Sequence, residues 1–126
     1  MQEYGRILLP VPNKLAVIIL NWRIINMDFK DQPFIPMLFG GDINTYSVAR
    51  AFYEEYQVKT YVFGKFPSGP SYNSNIIEYH ADLKIDTDDV FMKTVRDFAA
   101  AHADKTVLTI GCGDSYVALC SRHKDE

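Results

Sequence analysis

From Pro33 onward the chain alternates between a pattern that suits strands and a pattern that suits helices. Phe34-Ile35-Pro36-Met37-Leu38-Phe39 is apolar throughout and stops at Gly40 and Gly41. A continuous apolar run of this length fits a strand covered on both faces, as in a parallel sheet. Pro36 has no N–H for a ladder, so it is expected near the start of that strand. Asp42 then has the character of a helix N-cap. Ile43, Tyr46, Ala49, Phe52, Tyr53 and Tyr56 recur at spacings near three and four, which predicts a helix over 43–56 with one apolar face.

The stretch 58–63 is rich in β-branched and aromatic residues and reads as a second strand, ended by Gly64. Residues 65–75 hold two prolines, a glycine and several serines and asparagines, the chemistry of a loop. A short strand is expected at 76–79, with 81–85 extending it or adding another. Asp86, Thr87, Asp88 and Asp89 crowd the start of the next helix, where carboxylates complement the helix dipole. That helix is expected over 88–103, burying Val90, Phe91, Val95, Phe98, Ala99 and His102. A further buried strand is expected at 106–110, closed by Gly111 and Gly113, and a last helix runs from Asp114 to about Arg122. Strands alternating with helices build a parallel sheet through right-handed crossovers. The expected fold is therefore α/β, a small Rossmann-like parallel sheet with flanking helices. Ligands of such sheets bind at the carboxyl ends of the strands, near the reversal in strand order.

With 126 residues the chain has the length of one domain. Residues 1–26 stand apart from the pattern and read as an N-terminal extension that need not be native, with Met27 as an alternative start and 27–126 as the domain. The apolar run at 15–20 is far too short to span a bilayer, so no membrane partner is expected. Pro10 and Pro12 before it, and Asn21, Trp22 and Arg23 after it, do not fit a signal peptide. Net charge is −3, with both signs mixed and no basic block, which argues against a nucleic-acid partner. Two cysteines, Cys112 and Cys120, make no disulfide framework and fit a reducing cytoplasm. His80, His102 and His123 lack metal-ligand spacing, so no metal site is expected.

Two segments share one design. Phe39-Gly40-Gly41-Asp42-Ile43-Asn44 and Ile110-Gly111-Cys112-Gly113-Asp114-Ser115 each close a strand and open a helix. Glycines there let the backbone turn tightly and approach a ligand, and the helix start offers N–H groups. Asp42 and Asp114 are expected to satisfy those N–H groups themselves, which shifts the expected ligand from a phosphate toward an amine. Lys65, at the end of the second strand, is placed to reach a carboxylate or phosphate in the crevice. Arg50, two turns into the first helix, reads as a structural pairing group. A dinucleotide fingerprint is not met, because Tyr116 replaces the third glycine and Lys65 stands where a ribose-binding carboxylate belongs. Ser115 lacks the GxSxG elbow of a nucleophile.

The block from Phe34 to Asn44, continuing through Tyr46 and Ala49-Arg50-Ala51-Phe52, resembles the opening of ATP-grasp carboxylate–amine ligases of the D-aspartate ligase kind. A second block, Thr106 to Tyr116, resembles that family's strand and Cys-Gly-Asp-Gly-Tyr-like turn, and Asn73-Ser74, Ile76-Ile77 and Val90-Phe91 fall at family-like positions. The likeness covers about 33–124. It implies a pre-ATP-grasp domain forming the substrate side of a ligase that activates a carboxylate with ATP and joins it to an amine. In D-aspartate ligases that product feeds the peptidoglycan cross-bridge. By the same likeness Gly40, Gly41, Asp42, Asn44, Tyr46, Cys112, Gly113, Asp114, Ser115 and Tyr116 line the site of an amino acid or amine, joined by Lys65 from its place at the strand end, and no catalytic residue lies in the domain. ATP, magnesium and most catalytic groups are assigned to the ATP-grasp domain, so the chain alone is expected to be catalytically incomplete. Ser115 stands where the family's turn carries glycine, so pocket size or turn geometry is expected to differ. A homodimer, formed through the face such a partner domain would cover, is a further expectation. The alternative reading is a stand-alone α/β small-ligand-binding or interaction module without catalysis.

Overall fold

A computed structural model describes residues 29–126; the readings made for residues 1–26 lie outside them. In chain order the elements are β1 (Phe34–Phe39), α1 (Ile43–Tyr56), β2 (Thr60–Gly64), β3 (Ile77–Ala81), α2 (Asp88–Ala101), β4 (Thr106–Gly111) and α3 (Asp114–Arg122). The strands form one all-parallel sheet in the order β3-β2-β1-β4. The fold is thus α/β and Rossmann-like, as the alternation predicts.

The β1–α1–β2 and β3–α2–β4 crossovers run in opposite directions across the sheet, so connections of one hand must place their helices on opposite faces. They do. Leu38 and Val62 pack with Ala49 of α1 on one face, joined by Ile76, Ile77 and Cys112. Ile35, Met37 and Phe39 pack with Phe91, Met92 and Phe98 of α2 and Leu119 of α3 on the other. The alternation of side chains along β1 divides its residues between these two cores.

Pro36 lies in a central strand, where proline is ordinarily excluded. The ladder explains why it is tolerated. Gly40 N–H donates to Phe63 C=O at 3.0 Å, so even-numbered β1 residues turn their main chain toward β2. Pairing with β2 begins only at Met37 opposite Tyr61, so the missing N–H of Pro36 faces a stretch before that ladder starts.

Several boundaries differ from the pattern. β2 starts at Thr60 rather than 58, and β3 spans Ile77–Ala81. The stretch 82–86 is not a strand. Asp82 accepts from Lys84 N–H through its side chain at 2.9 Å and from Ile85 N–H through its carbonyl at 3.0 Å. An aspartate that binds its own backbone competes with sheet pairing. Ile85 then drops into the core at 1% exposure. α2 ends at Ala101, where the His102 N–H turns back to the carbonyls of Phe98 and Ala99. No helix among the described residues is long and apolar enough to cross a membrane.

Candidate functional site

β1 and β4 are neighbours, with Phe39 opposite Gly111, so the two glycine-rich turns leave the sheet side by side. The order β3-β2-β1-β4 reverses direction between these strands. Their ends are therefore the switch point at which open α/β sheets bind ligands.

The two turns are built into each other. Gly40 has φ +143°, and a Cβ there would lie 2.5 Å from Thr45 Oγ1 and 2.8 Å from the Cys112 carbonyl. Cys112 N–H donates to Phe39 C=O at 2.8 Å. Cys112 is buried, and that burial raises its thiol above the ordinary range, an effect opposed by a hydrogen bond with Thr45. Gly40 and Cys112, both buried, thus hold the rim together from inside.

Asp42 caps α1. Its carboxylate accepts from Asn44 N–H at 3.0 Å and Thr45 N–H at 3.2 Å, as expected. Asn44 is exposed beside it. The matching expectation for Asp114 is corrected. Gly113, at φ +140°, occupies the N-cap position of α3, and no side chain caps that helix. Asp114 already stands inside the first turn, one residue too late to accept from N2 or N3. Gly113, Asp114 and Ser115 are exposed.

Beside these turns lies a cavity of about 250 Å³ lined by Gly41, Lys65, Phe66, Ser68, Gly69, Tyr79 and Tyr116. Lys65 Nζ sits 3.2 Å from Asp86 Oδ2, with both side chains about a third exposed. The Tyr116 phenol is raised first by burial and then by the charge of Asp86. The Tyr79 phenol is raised by burial, and its hydroxyl donates to Phe66 C=O at 2.6 Å. The cavity therefore presents an ammonium with its counter-carboxylate, two protonated phenols and the main chain of two glycines. Such a set can hold and orient a small polar molecule by hydrogen bonds.

A second hollow of about 430 Å³ lies on the α1 side, lined by Ile43, Tyr46, Pro70, Asn73, Ser74, Asn75 and Ile76. Of the sequence-predicted residues, the structure brings Gly41, Lys65 and Tyr116 to one cavity and Tyr46 to the other. Sequence reasoning missed Tyr79 and Asp86. Nothing in the local sequence marks Tyr79; in the fold, a Cβ on Gly41 or on Gly64 would meet its hydroxyl.

The remaining candidates are structural. Arg50 pairs with Glu54 at 2.9 Å. His80 contacts Glu78 at 2.9 Å and stacks on Phe63, His102 Nδ1 meets the Phe98 carbonyl, and His123 contacts Glu126 and Asp88. Among the described residues, no three His, Cys, Asp or Glu side chains cluster as metal ligands.

Fold and rim together define an α/β domain with a crevice at its switch point. No family model matches the chain, and no solved structure matches it. Over 100 residues the chain is 35% identical to a D-aspartate ligase of Enterococcus faecium (strain Aus0004). The match covers 77% of this chain and 24% of that ligase, so the chain spans about a quarter of its relative's length.

Proposed function

We propose that this chain is the substrate-side, pre-ATP-grasp domain of an ATP-dependent carboxylate–amine ligase of the D-aspartate ligase kind, with the rim cavity as one wall of the active site. The observation that carries the reading is the juxtaposition of the Gly40–Asp42 and Cys112–Asp114 turns at the switch point, beside a cavity holding Lys65, Tyr79 and Tyr116. The similarity to a D-aspartate ligase over most of the chain supports the same reading. In it, the domain binds and orients an amino acid or amine and keeps water from one side of it.

In this reading ATP and magnesium bind outside these residues. The first-turn N–H groups of α1 are taken by Asp42, those of α3 have no side-chain cap, and among the described residues no three His, Cys, Asp or Glu side chains cluster as metal ligands. The reading assigns both, and the bond-forming chemistry with them, to polypeptide outside this domain. It also puts the domain in the cytoplasm, on the substrate side of a cell-wall ligase.

Titration of the ¹⁵N-labelled chain tests the assignment. D-aspartate is expected to shift the amides of Gly41, Gly69 and Tyr116, and ATP with magnesium is expected to leave them in place. Rim shifts with ATP alone, or ATP turnover by the purified chain, would overturn it. The stand-alone binding module remains the second reading, because Lys65, Tyr79 and Tyr116 already converge on the cavity within this domain. A gene that continues past codon 126 into glycine-rich and acidic segments favours the ligase; a stop codon there favours the module.

A further inference from the structure

We infer that residues 66–70 form a hinged flap over the rim, latched by Tyr79, and that lifting it joins the cavity beside Tyr116 to the hollow beside Tyr46. The two spaces share one partition. Gly69 lines the first and Pro70 the second; Gly41 lines the first and Ile43 the second. Where these segments touch, a Cβ on Gly69 would lie 2.6 Å from the Gly41 carbonyl. Gly69 also has φ +94°, a conformation that glycine adopts without strain. The closed contact therefore depends on the residue found there.

The flap is anchored at both ends and loosely held between them. Lys65 is tied to Asp86 at 3.2 Å before it, and Ser71 is fully buried after it. Every residue from 66 to 70 is exposed, including the Phe66 ring at 57%. No buried side chain fastens the tip. Ser68 N–H bonds to Phe66 C=O within the flap and travels with it, whereas Tyr72 N–H bonds to Gly69 C=O at 3.2 Å across the Ser71 anchor and belongs to the hinge. Pro67 and Pro70 restrict the flap's own torsions, which favours motion as a unit about its two ends. A hydrogen bond from Tyr79 Oη to Phe66 C=O, at 2.6 Å, ties the first residue of the flap to the sheet. Tyr72 packs edge-on against the same tyrosine ring at 5.8 Å. Removing one net hydrogen bond shifts an open–closed equilibrium by roughly 2- to 12-fold.

Trypsin reads the flap through the Lys65–Phe66 bond. In Tyr79→Phe, cleavage there is expected to accelerate by roughly 2- to 12-fold, while cleavage after Lys93 and Lys124 keeps its rate. In the unmodified chain, ¹⁵N relaxation dispersion is expected to show microsecond-to-millisecond exchange at Gly41, Ser68 and Gly69. Flat dispersion at those amides would overturn the flap, as would a folded Tyr79→Phe chain cleaved no faster than the original. Should the variant misfold, dispersion in the unmodified chain decides. Neither measurement uses a ligand, so failure here leaves the ligase reading standing.

Discussion

Gly40 is the position where sequence and site are joined most tightly. Its φ of +143° is open to glycine, and Thr45 Oγ1 and the Cys112 carbonyl occupy the space a side chain would need. Gly40→Ala would have to strain the backbone and separate the two turns. We expect a loss of about 1–3 kcal/mol, read from urea unfolding. A variant as stable as the original would mean that the turns are not packed as described. Cys112, across the same contact, is expected to react with iodoacetamide at neutral pH more slowly than an exposed thiol, because burial disfavours its thiolate. Mass spectrometry of partly alkylated protein gives the rate. The glycines of this contact announce themselves in sequence, since paired glycines between a strand and a helix already call for a tight turn. Tyr79 does not, because the function of its hydroxyl depends on the loop carbonyl that folds back onto it from thirteen positions away.

The elements follow the hydrophobic pattern closely where both neighbours are apolar, and less well where side chains compete for the backbone. β1 and α3 fall where the periodicity places them. The stretch 82–86 does not, because Asp82 turns the chain and Ile85 serves as a single core anchor. The two helix starts show the same limit. Asp42 and Asp114 look alike in sequence, yet only Asp42 stands at the cap position. Asp42→Ala is expected to cost about 1 kcal/mol of stability, and Asp114→Ala much less; equal losses in thermal unfolding would contradict the capping geometry. The start of α2 and the end of α3 are tied by charge. Arg122 binds Asp88 at 2.7 Å and depresses its carboxyl, while Glu126 first and Asp88 next raise His123. Raised in the folded state, His123 stabilises fully below its ordinary value of about 6.5 and loses that contribution as pH climbs through the folded value. Asp88 acts in the opposite sense, stabilising above its ordinary range and failing as pH falls through its depressed value. The thermal midpoint should therefore decline as pH rises from about 6.5 through the raised value of His123, and His123→Gln should flatten that limb while leaving the acid limb in place.

The sheet has two unequal edges. β3 carries Glu78 and His80 beside Lys59, the kind of charged border that discourages pairing with another chain. β4 reads Thr-Val-Leu-Thr-Ile-Gly and is only partly covered, although its neighbour β1 is almost wholly buried. Thr106 N–H and Cys112 N–H both donate to β1, so the even positions face inward and the main chain of Val107 and Thr109 faces the open side. Next to that edge, a groove of about 620 Å³ between α2 and α3 is lined in part by Val95, Thr109, Val117 and Cys120. Val117 is 51% exposed. The sequence pattern marked β4 as an interior strand, and its composition still fits one. The exposure of an apolar border can be ended by pairing with a second copy, so the chain is expected to run heavier than a monomer in size-exclusion chromatography with light scattering as concentration rises. Thr109→Pro removes an outward N–H without touching the β1 ladder and is expected to restore the monomer while unfolding remains cooperative. A chain that stays monomeric at high concentration, or an oligomer that Thr109→Pro leaves intact, would show that β4 is not the surface through which copies meet.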